Sequence, residues 1–226
     1  MTAGRRARLA ASRWLIAAEL GLVAAVFVAD FNHLIVFSKT PYLLALAWAS
    51  LAVRGVRWRD LGLTAGAAWR RWLLVGLAAG IAMEALELFV TQPALTALTG
   101  QGPDLSDFAI LKGNVALFAL AVGLSWTLAA VGEELVWRAW VLNRLRDLFG
   151  LGRGSWAAAL VLMSAAFGLA HADQGITGVL ENTLNGAMLG GLYLASGRNL
   201  IAPVVAHGVT DTIDVSLMFA GVYPGL

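Results

Sequence analysis

The amino-acid sequence predicts an all-α protein, a polytopic transmembrane helical bundle of about seven spans. Hydrophobic residues make up 59% of the 226 positions and charged residues only 13%, whereas roughly a quarter of a soluble domain is charged. The mean hydropathy is +0.75. Long apolar runs recur along the chain, and the loops between them alternate in charge, as in integral membrane proteins.

Seven apolar runs approach the roughly 20 residues that a spanning helix needs. They lie near residues 14–29, 41–53, 72–90, 114–142, 155–171, 175–196 and 200–222. The second run is short, and an eighth span is expected if residues 31–53 hold more than one. The longest loop, 91–112, has too little apolar content to fold alone. The whole chain, 1–226, is therefore predicted to be a single integral membrane domain.

Arginines mark alternate loops. They occur at Arg5, Arg6, Arg8 and Arg13, at Arg54, Arg57, Arg59, Arg70 and Arg71, at Arg144, Arg146 and Arg153, and at Arg198. The positive-inside rule therefore predicts a cytoplasmic N-terminus and an outside C-terminus. The first apolar run is followed by Asp-Phe-Asn at 30–32 instead of a small-residue cleavage site, so we expect it to remain as the first span.

The composition of the chain excludes several classes of partner and of catalytic chemistry. The net charge of +2 does not indicate a nucleic-acid partner, because the arginines are grouped in the loops where a membrane protein needs them. The absence of Cys excludes disulfides, thiolate metal sites and a cysteine nucleophile. No Ser or Thr has a His placed beside it for nucleophilic catalysis, so water is the expected nucleophile of any hydrolytic site.

The fourth span carries the densest group of charged side chains, Glu133, Glu134 and Arg138. Ionisable groups in a span are costly unless they face the bundle interior and have partners, so they mark candidate sites. On an α-helix Glu134 and Arg138 share a face, whereas Glu133 points about 100° away. This spacing predicts a structural Glu134–Arg138 pair and leaves Glu133 for chemistry. The alternative is that both acids share Arg138.

Two later spans carry further polar groups. Phe167 and His171 share one helix face, as do His207 and Asp211. Histidines and carboxylates that converge can activate water, with a carboxylate as general base and a histidine as donor to the oxyanion. Alternatively, Glu133, His171 and His207 could hold a divalent metal, although no His-Glu-x-x-His motif supports zinc.

The depth of His171 places a condition on this site. At about 1.5 Å per residue, His171 lies about 27 Å from Arg153, whereas Glu133 lies about 15 Å from Arg144. For the two to meet, the fifth span must begin below the interface or tilt strongly. We therefore expect residues 172–176 to be buried at membrane depth.

The remaining acids in the spans have less specific interpretations. Glu84 and Glu87 are expected to pair helices rather than to line a substrate cleft. Glu181 is a candidate for a supporting layer around the site, and Glu19 and Asp214 are candidate partners for arginines. These acids also leave open a transporter or proton pathway, but no repeat of two halves accompanies them.

The three ordered motifs resemble the CPBP family, which comprises the CAAX prenyl endopeptidases of the Rce1 type and the bacterial Abi or bacteriocin-processing proteins. The motifs are Glu-Glu-x-x-x-Arg from Glu133, Phe-x-x-x-His from Phe167 and His-x-x-x-Asp/Asn from His207. The segment that contains Asn185 and Leu-Gly-Gly-Leu-Tyr at 189–193, Pro203, and Arg-Asp-Leu-Gly-Leu at 59–63 are also similar to the family. The resemblance covers residues 112–215 firmly, which we take as the catalytic core.

This resemblance implies an intramembrane endopeptidase that acts on a membrane-associated peptide or protein in the lipid bilayer. It implies a site of Glu133, Glu134, His171, His207 and Asp211, supported by Arg138, Phe167 and Asn185. Glu133 and His171 would activate water, while His207 and Asp211 would hold the tetrahedral intermediate or complete the site. The family implies either no cofactor or one divalent metal such as zinc. We expect an integral protein of a bacterial inner membrane, with a non-catalytic scaffold or immunity-type member as the alternative.

Overall fold

The computed structural model describes residues 12–150 and 152–226, and the predicted N-terminal arginines Arg5, Arg6 and Arg8 lie outside them. Seven long helical segments run through the described residues. In chain order they are α1 (Arg13–Phe31), α2 (Lys39–Arg54), α3 (Trp69–Thr99), α4 (Val115–Phe149), α5 (Arg153–Leu169), α6 (Gly175–Ala195) and α7 (Ile201–Ala220). No strand is found among these residues, so the all-α fold class is confirmed.

The helices coincide with the seven predicted apolar runs, but fewer of them meet the length and hydropathy expected of a membrane span. Within the described residues, α1, α3 and α4 are each long and apolar enough to cross a membrane. The pair α5 and α6 meets the same criteria only when taken together, across a bend of 62°. Three or four spans are thus supported, and the predicted count of seven is not established.

The predicted loop 91–112 is partly wrong. Helix α3 continues to Thr99 through a π-helical turn at Glu87–Thr91, and a 3₁₀ turn occupies Ser106–Leu111. Gly100, at φ 82°, ends α3 in the left-handed conformation that glycine favours. The span was underestimated because Gln92 and Pro93 interrupt the apolar run, although proline is tolerated in the first turn of the helical segment that follows the π turn.

The bundle has two distinct ends. The arginine end consists of the start of α1, the end of α4, the start of α5, and loops 55–68 and 196–200 with their adjoining helix ends. The two loops are held together by Leu200 N–H donating to Gly62 O at 3.1 Å. Gly62 has φ +104°, and a Cβ there would lie 1.9 Å from Arg198 O, so this close approach requires glycine. The opposite end consists of loops 32–38, 100–114 and 170–174 with residues 221–226. There Asp104 N–H donates to Gln174 O at 2.9 Å.

Glycines bring α3 close to α7, the helix that carries His207. A Cβ at Gly76 would lie 2.6 Å from Ala202 O, and one at Gly80 would lie 2.7 Å from Ala206 O. Small residues permit such close contact between membrane helices. The contact fixes α7 against α3 and thereby places the carboxyl groups of α3 beside the polar face of α7.

A buried polar network joins α1, α2 and α4 away from this contact. Arg54 Nη2 lies 2.7 Å from Glu19 Oε2, and Ser50 Oγ donates to Glu19 Oε1 at 2.7 Å. Trp140 Nε1 donates to Ser50 Oγ at 3.0 Å. The prediction that Glu19 pairs with an arginine is confirmed. The same prediction for Asp214 is wrong, because its carboxyl group interacts with that of Glu84.

Candidate active site

A cavity of about 430 Å³ lies inside the bundle and reaches the end opposite the arginines. Helices α3, α4, α6 and α7 supply most of its walls, with the last turn of α5 and loop residues at the mouth. Six of the eight predicted site residues line it: Glu133, Phe167, His171, Asn185, His207 and Asp211. Glu134 and Arg138 lie behind the wall and are completely buried.

The geometry of α4 explains this separation. From Ser125 to Val141 the helix is π-helical, so each backbone N–H donates to the carbonyl five residues earlier in the chain instead of four. The sequence did not predict this. Residues four apart still share a face in the wider helix, and Arg138 Nη1 lies 2.7 Å from Glu134 Oε1. Glu133 belongs to the neighbouring face and is half-buried at the cavity.

Glu134 also contacts the last motif. His207 Nδ1 lies 3.0 Å from Glu134 Oε1, a distance at which the imidazole N–H donates to the carboxylate. Because Glu134 binds both Arg138 and His207, the first and third motifs are joined in one buried network. The ion pair of Glu134 with Arg138 agrees with the pair predicted from spacing. The contact of Glu134 with His207 is one that spacing did not reveal.

The other ring nitrogen of His207 faces a second carboxyl group. His207 Nε2 lies 3.5 Å from Asp211 Oδ1, one helical turn away on α7. Ser125 of α4 also interacts with Asp211. Carboxyl groups on both sides of the imidazole fix its orientation.

His171 is held by its own helix. Its Nδ1 lies 2.9 Å from the Phe167 carbonyl oxygen. A carbonyl oxygen only accepts, so Nδ1 carries the proton and Nε2 of the neutral ring is left as an acceptor. The Phe167 ring packs against His171 at 5.0 Å between centroids and lies 4.6 Å below the Arg138 guanidinium. Phe167 thereby holds the second motif against the first.

Glu133 lies at the centre of these groups. It lines the same cavity as His171, His207 and Asp211 and interacts electrostatically with each of them. A carboxylate and an imidazole acceptor beside one cavity are the groups that general-base activation of water requires. His207 adds a donor in the same space.

The expected depth of residues 172–176 in the membrane stays a prediction. The break between α5 and α6 lies at 170–174, and Ala172, Asp173 and Ile176 are not enclosed by the protein. His171 reaches the cavity because the α5–α6 pair is bent by 62° at this break, which directs the end of α5 toward the bundle interior.

Two carboxyl groups on the cavity were not predicted as site residues. Glu87 of α3 accepts a hydrogen bond from Asn185 Nδ2 at 2.6 Å, and Glu181 lies near it on α6. For Glu87 the expectation of simple helix pairing is incomplete, because it also lines the cavity. The signal was present in the spacing of Glu84 and Glu87, but only the crossing of α3 and α6 shows which of them reaches the cavity.

The predicted metal ligands do not form a metal site in this geometry. Across residues 12–150 and 152–226, no three His, Asp or Glu side chains converge closely enough to hold a metal ion. His207 has Glu134 on one ring nitrogen and Asp211 near the other. The side chains of Glu133, His171 and His207 thus line one cavity but do not gather around a single point.

The fold and the cavity define the chain as a helical integral membrane protein with a polar site inside its bundle. Residues 114–213 match the family model of the type II CAAX prenyl endopeptidase, Rce1-like. This segment is less than half of the chain but contains all three motifs, so the resemblance seen in the sequence is confirmed there. The family is a protease family, and the match supports a hydrolase at this coarse level. Neither the curated proteins nor the solved structures contain a match to this chain.

Proposed function

We propose that the protein is an intramembrane endopeptidase that hydrolyses a peptide bond of a membrane-associated substrate, using water activated by Glu133 and His171. The observation that carries this proposal is that both side chains line one cavity beside a third group, His207, whose orientation is fixed by Glu134. The family description names CAAX prenyl endopeptidases. The C-terminal peptide of a CAAX protein is therefore one member of this substrate class.

The chemistry uses residues of this chain only. Glu133 takes a proton from water while His171 Nε2 accepts a hydrogen bond from the same water and orients it. The hydroxide attacks the peptide carbonyl carbon, and the oxygen becomes an oxyanion. Glu133 then gives its proton to the departing amine as the carbon–nitrogen bond breaks.

His207 is placed to stabilise the oxyanion. Its Nδ1 is committed to Glu134, and at 3.5 Å from Asp211 its Nε2 is not held by a short hydrogen bond. A protonated Nε2 can therefore donate to the substrate oxygen, and one such donor in an enclosed site contributes about 3 kcal/mol to the transition state. Asp211 Oδ1 lies on the same side of the ring, 3.5 Å from Nε2.

Comparative proteomics of membranes tests this function. Cells with the native protein are compared with cells that carry Glu133→Ala and with a matched control, Asp107→Asn, whose exposed carboxyl group does not line the cavity. We expect uncut precursors to accumulate only with Glu133→Ala. Normal processing by Glu133→Ala would overturn the proposal in favour of a non-catalytic scaffold.

We also propose that the arginine end lies in the cytoplasm of a bacterial inner membrane, with the N-terminus on that side. The grouped arginines of loops 55–68 and 196–200 support this orientation by the positive-inside rule. A reporter fused after Leu226 tests it, because alkaline phosphatase is active only outside the cytoplasm. Activity of the fusion is expected, and its absence together with activity of a cytoplasmic reporter at the same site would reverse the orientation.

A further inference from the structure

The two ends of the bundle differ in charge. Nine arginines with described side chains belong to the arginine end: Arg13, Arg54, Arg57, Arg59, Arg70, Arg71, Arg144, Arg146 and Arg198. In the described part of the chain, the basic residues of the opposite end are Lys39 and Lys112, with His33 and His171. Lys39 is neutralised by Asp30 at 3.1 Å. This is the asymmetry from which membrane orientation follows.

Among the described residues, the loops that line the cavity belong to the end opposite the arginine end. The mouth of the cavity is formed by Phe37, Ser38, Pro103, Leu105, Phe108, Gln174 and Tyr223. Among the described residues that line it, none comes from 54–68, 143–156 or 193–206, the segments of the arginine end. The deepest wall is formed by residues such as Leu189 and His207, so the bundle closes the cavity on the arginine side.

We infer that the active cavity opens to the extracytoplasmic side of the membrane and that its substrate is a peptide segment exposed there. Such a segment belongs to an exported peptide or to the outer end of a membrane-spanning protein. The statement about substrate depends on the proposed function, whereas the direction of the opening depends only on the charges and the cavity walls.

Cysteine labelling tests the direction cleanly, because the chain has no Cys. Ala109→Cys and Ala67→Cys are matched variants at exposed positions of the opposite end and the arginine end. Leu128→Cys reports from the cavity wall. A membrane-impermeant maleimide on intact spheroplasts is expected to label Ala109→Cys but not Ala67→Cys, which reacts only after permeabilisation. A small charged thiosulfonate is expected to reach Leu128→Cys from outside.

Labelling of Ala67→Cys in intact spheroplasts, or failure of the thiosulfonate to reach Leu128→Cys from outside, would overturn the inference. The same three variants are labelled in a Glu133→Ala background, where catalysis is absent. Accessibility and catalysis are thus measured separately, and loss of the proposed enzymatic function would leave the labelling result valid.

A second inference comes from the charge inside the cavity. Five carboxyl-bearing residues line it: Glu87, Glu133, Glu181, Asp211 and Asp214. No Lys or Arg is found among the described residues that line it, and His171 and His207 are its basic groups. The cavity therefore contains acidic groups in excess of the basic groups that could neutralise them.

Glu181 is an acid of this cavity with an unpartnered oxygen atom in the described part of the chain. Its side chain is 5% exposed and its Oε1 is buried with no hydrogen-bond partner among the described residues. Its electrostatic neighbour is Glu87, another acid, which is 9% exposed and accepts a hydrogen bond from Asn185. A buried carboxylate with no cationic partner is costly, and native proteins retain such groups mainly at functional sites.

We propose that Glu181 and Glu87 bind a cationic side chain, lysine or arginine, of the peptide substrate. An ammonium or guanidinium group between them would supply the missing donor to Glu181 and the missing positive charge to the pair. This subsite depends on the proposed function, because it assigns a specificity to the same cavity. Asn185 acts as a positioning residue that holds Glu87 toward the subsite.

Peptide libraries test the subsite in purified protein. Peptides that differ at one position, Lys, Arg, Gln or norleucine, are assayed for cleavage by native protein, Glu181→Gln and the control Asp107→Asn. A buried charge pair typically contributes at least about tenfold in affinity. Glu181→Gln is expected to lose about tenfold in kcat/KM for the Lys peptide and little for the norleucine peptide. Equal loss for all peptides would show a structural role and overturn the subsite.

Binding separates the subsite from the chemistry. Glu133→Ala protein is titrated with the fluorescent Lys and norleucine peptides, and a preference for Lys that disappears in Glu133→Ala/Glu181→Gln is expected. If native protein cleaves no peptide but this preference is found, the proposed function fails and the subsite stands. If cleavage occurs with no preference at any varied position, the subsite fails and the function stands.

Discussion

The two faces of α4 place neighbouring glutamates in opposite environments. Glu134 is completely buried and lies within 3.0 Å of both an arginine and a histidine nitrogen. Glu133 is half-buried on the cavity and is surrounded by His171, His207 and Asp211 at longer range. The comparison shows how one motif can serve two purposes, because a buried carboxylate paired through Oε1 stabilises the bundle while its neighbour remains available to a substrate.

The largest expected effect is a loss of peptide cleavage when Glu133, on the cavity face of α4, is replaced. Glu133→Gln removes the base that accepts the proton of water, so peptide cleavage is expected to fall by roughly 10²–10⁴-fold. The size and hydrogen-bonding capacity of the side chain are nearly preserved, so the melting temperature in detergent should remain that of the native protein. Cleavage of a quenched fluorescent peptide measures the first quantity. Full activity of Glu133→Gln would remove the distinction between the two glutamates.

The next effect is a loss of stability when Glu134, on the buried face of α4, is replaced. Glu134→Ala leaves the Arg138 guanidinium buried with no counter-ion, and breaking a buried pair in this way costs about 3–5 kcal/mol. Unfolding in detergent, followed by circular dichroism, is expected to show this loss for Glu134→Ala and little change for Glu133→Ala. The double variant Glu134→Gln/Arg138→Gln should recover part of the loss, because it removes both charges. A stability equal to the native value would contradict the structural role of Glu134.

Most helices were predictable because their apolar runs have clear polar or glycine boundaries. Helix α3 is the exception, because it continues past Gln92 and Pro93 to Thr99. The pair Glu134–Arg138 was predictable because their spacing places them on one face. The contact of Glu134 with His207 was not, because it joins residues 73 positions apart and depends on how α7 crosses α4. Periodicity carries no information about such crossings.

The acidic side of the cavity was predictable only in part. Glu87 and Glu181 stand out in sequence as acids within spans, but their partners depend on the contact between α3 and α6. Asp214 was assigned to an arginine because a buried acid usually needs a cation, whereas in the structure it meets Glu84. The π-helical stretch of α4 was not predictable, since no glycine or proline pattern distinguishes it from an α-helix.

A smaller effect is expected in the network remote from the cavity. Ser50→Ala leaves the Trp140 indole N–H without its acceptor and removes one donor to Glu19, which costs about 1–3 kcal/mol. The activity of the folded fraction should not change, because none of these residues lines the cavity. Unfolding curves and cleavage rates measured on the same preparation check both statements. Loss of cleavage without loss of stability would mean that α1 and α2 influence the site.

The smallest expected effect is that of chelation, which should leave cleavage unchanged. A metal held by Glu133, His171 and His207 would need these three side chains to converge on one ion, and among the described residues no such group is found. Purified protein is dialysed against EDTA, assayed, and assayed again with added Zn²⁺. Inactivation by EDTA with recovery on Zn²⁺ would contradict the glutamate–water chemistry. It would also require Glu133, His171 and His207 to converge on one ion, so that Glu133 would be a metal ligand and no longer the free carboxylate that distinguishes the open face of α4.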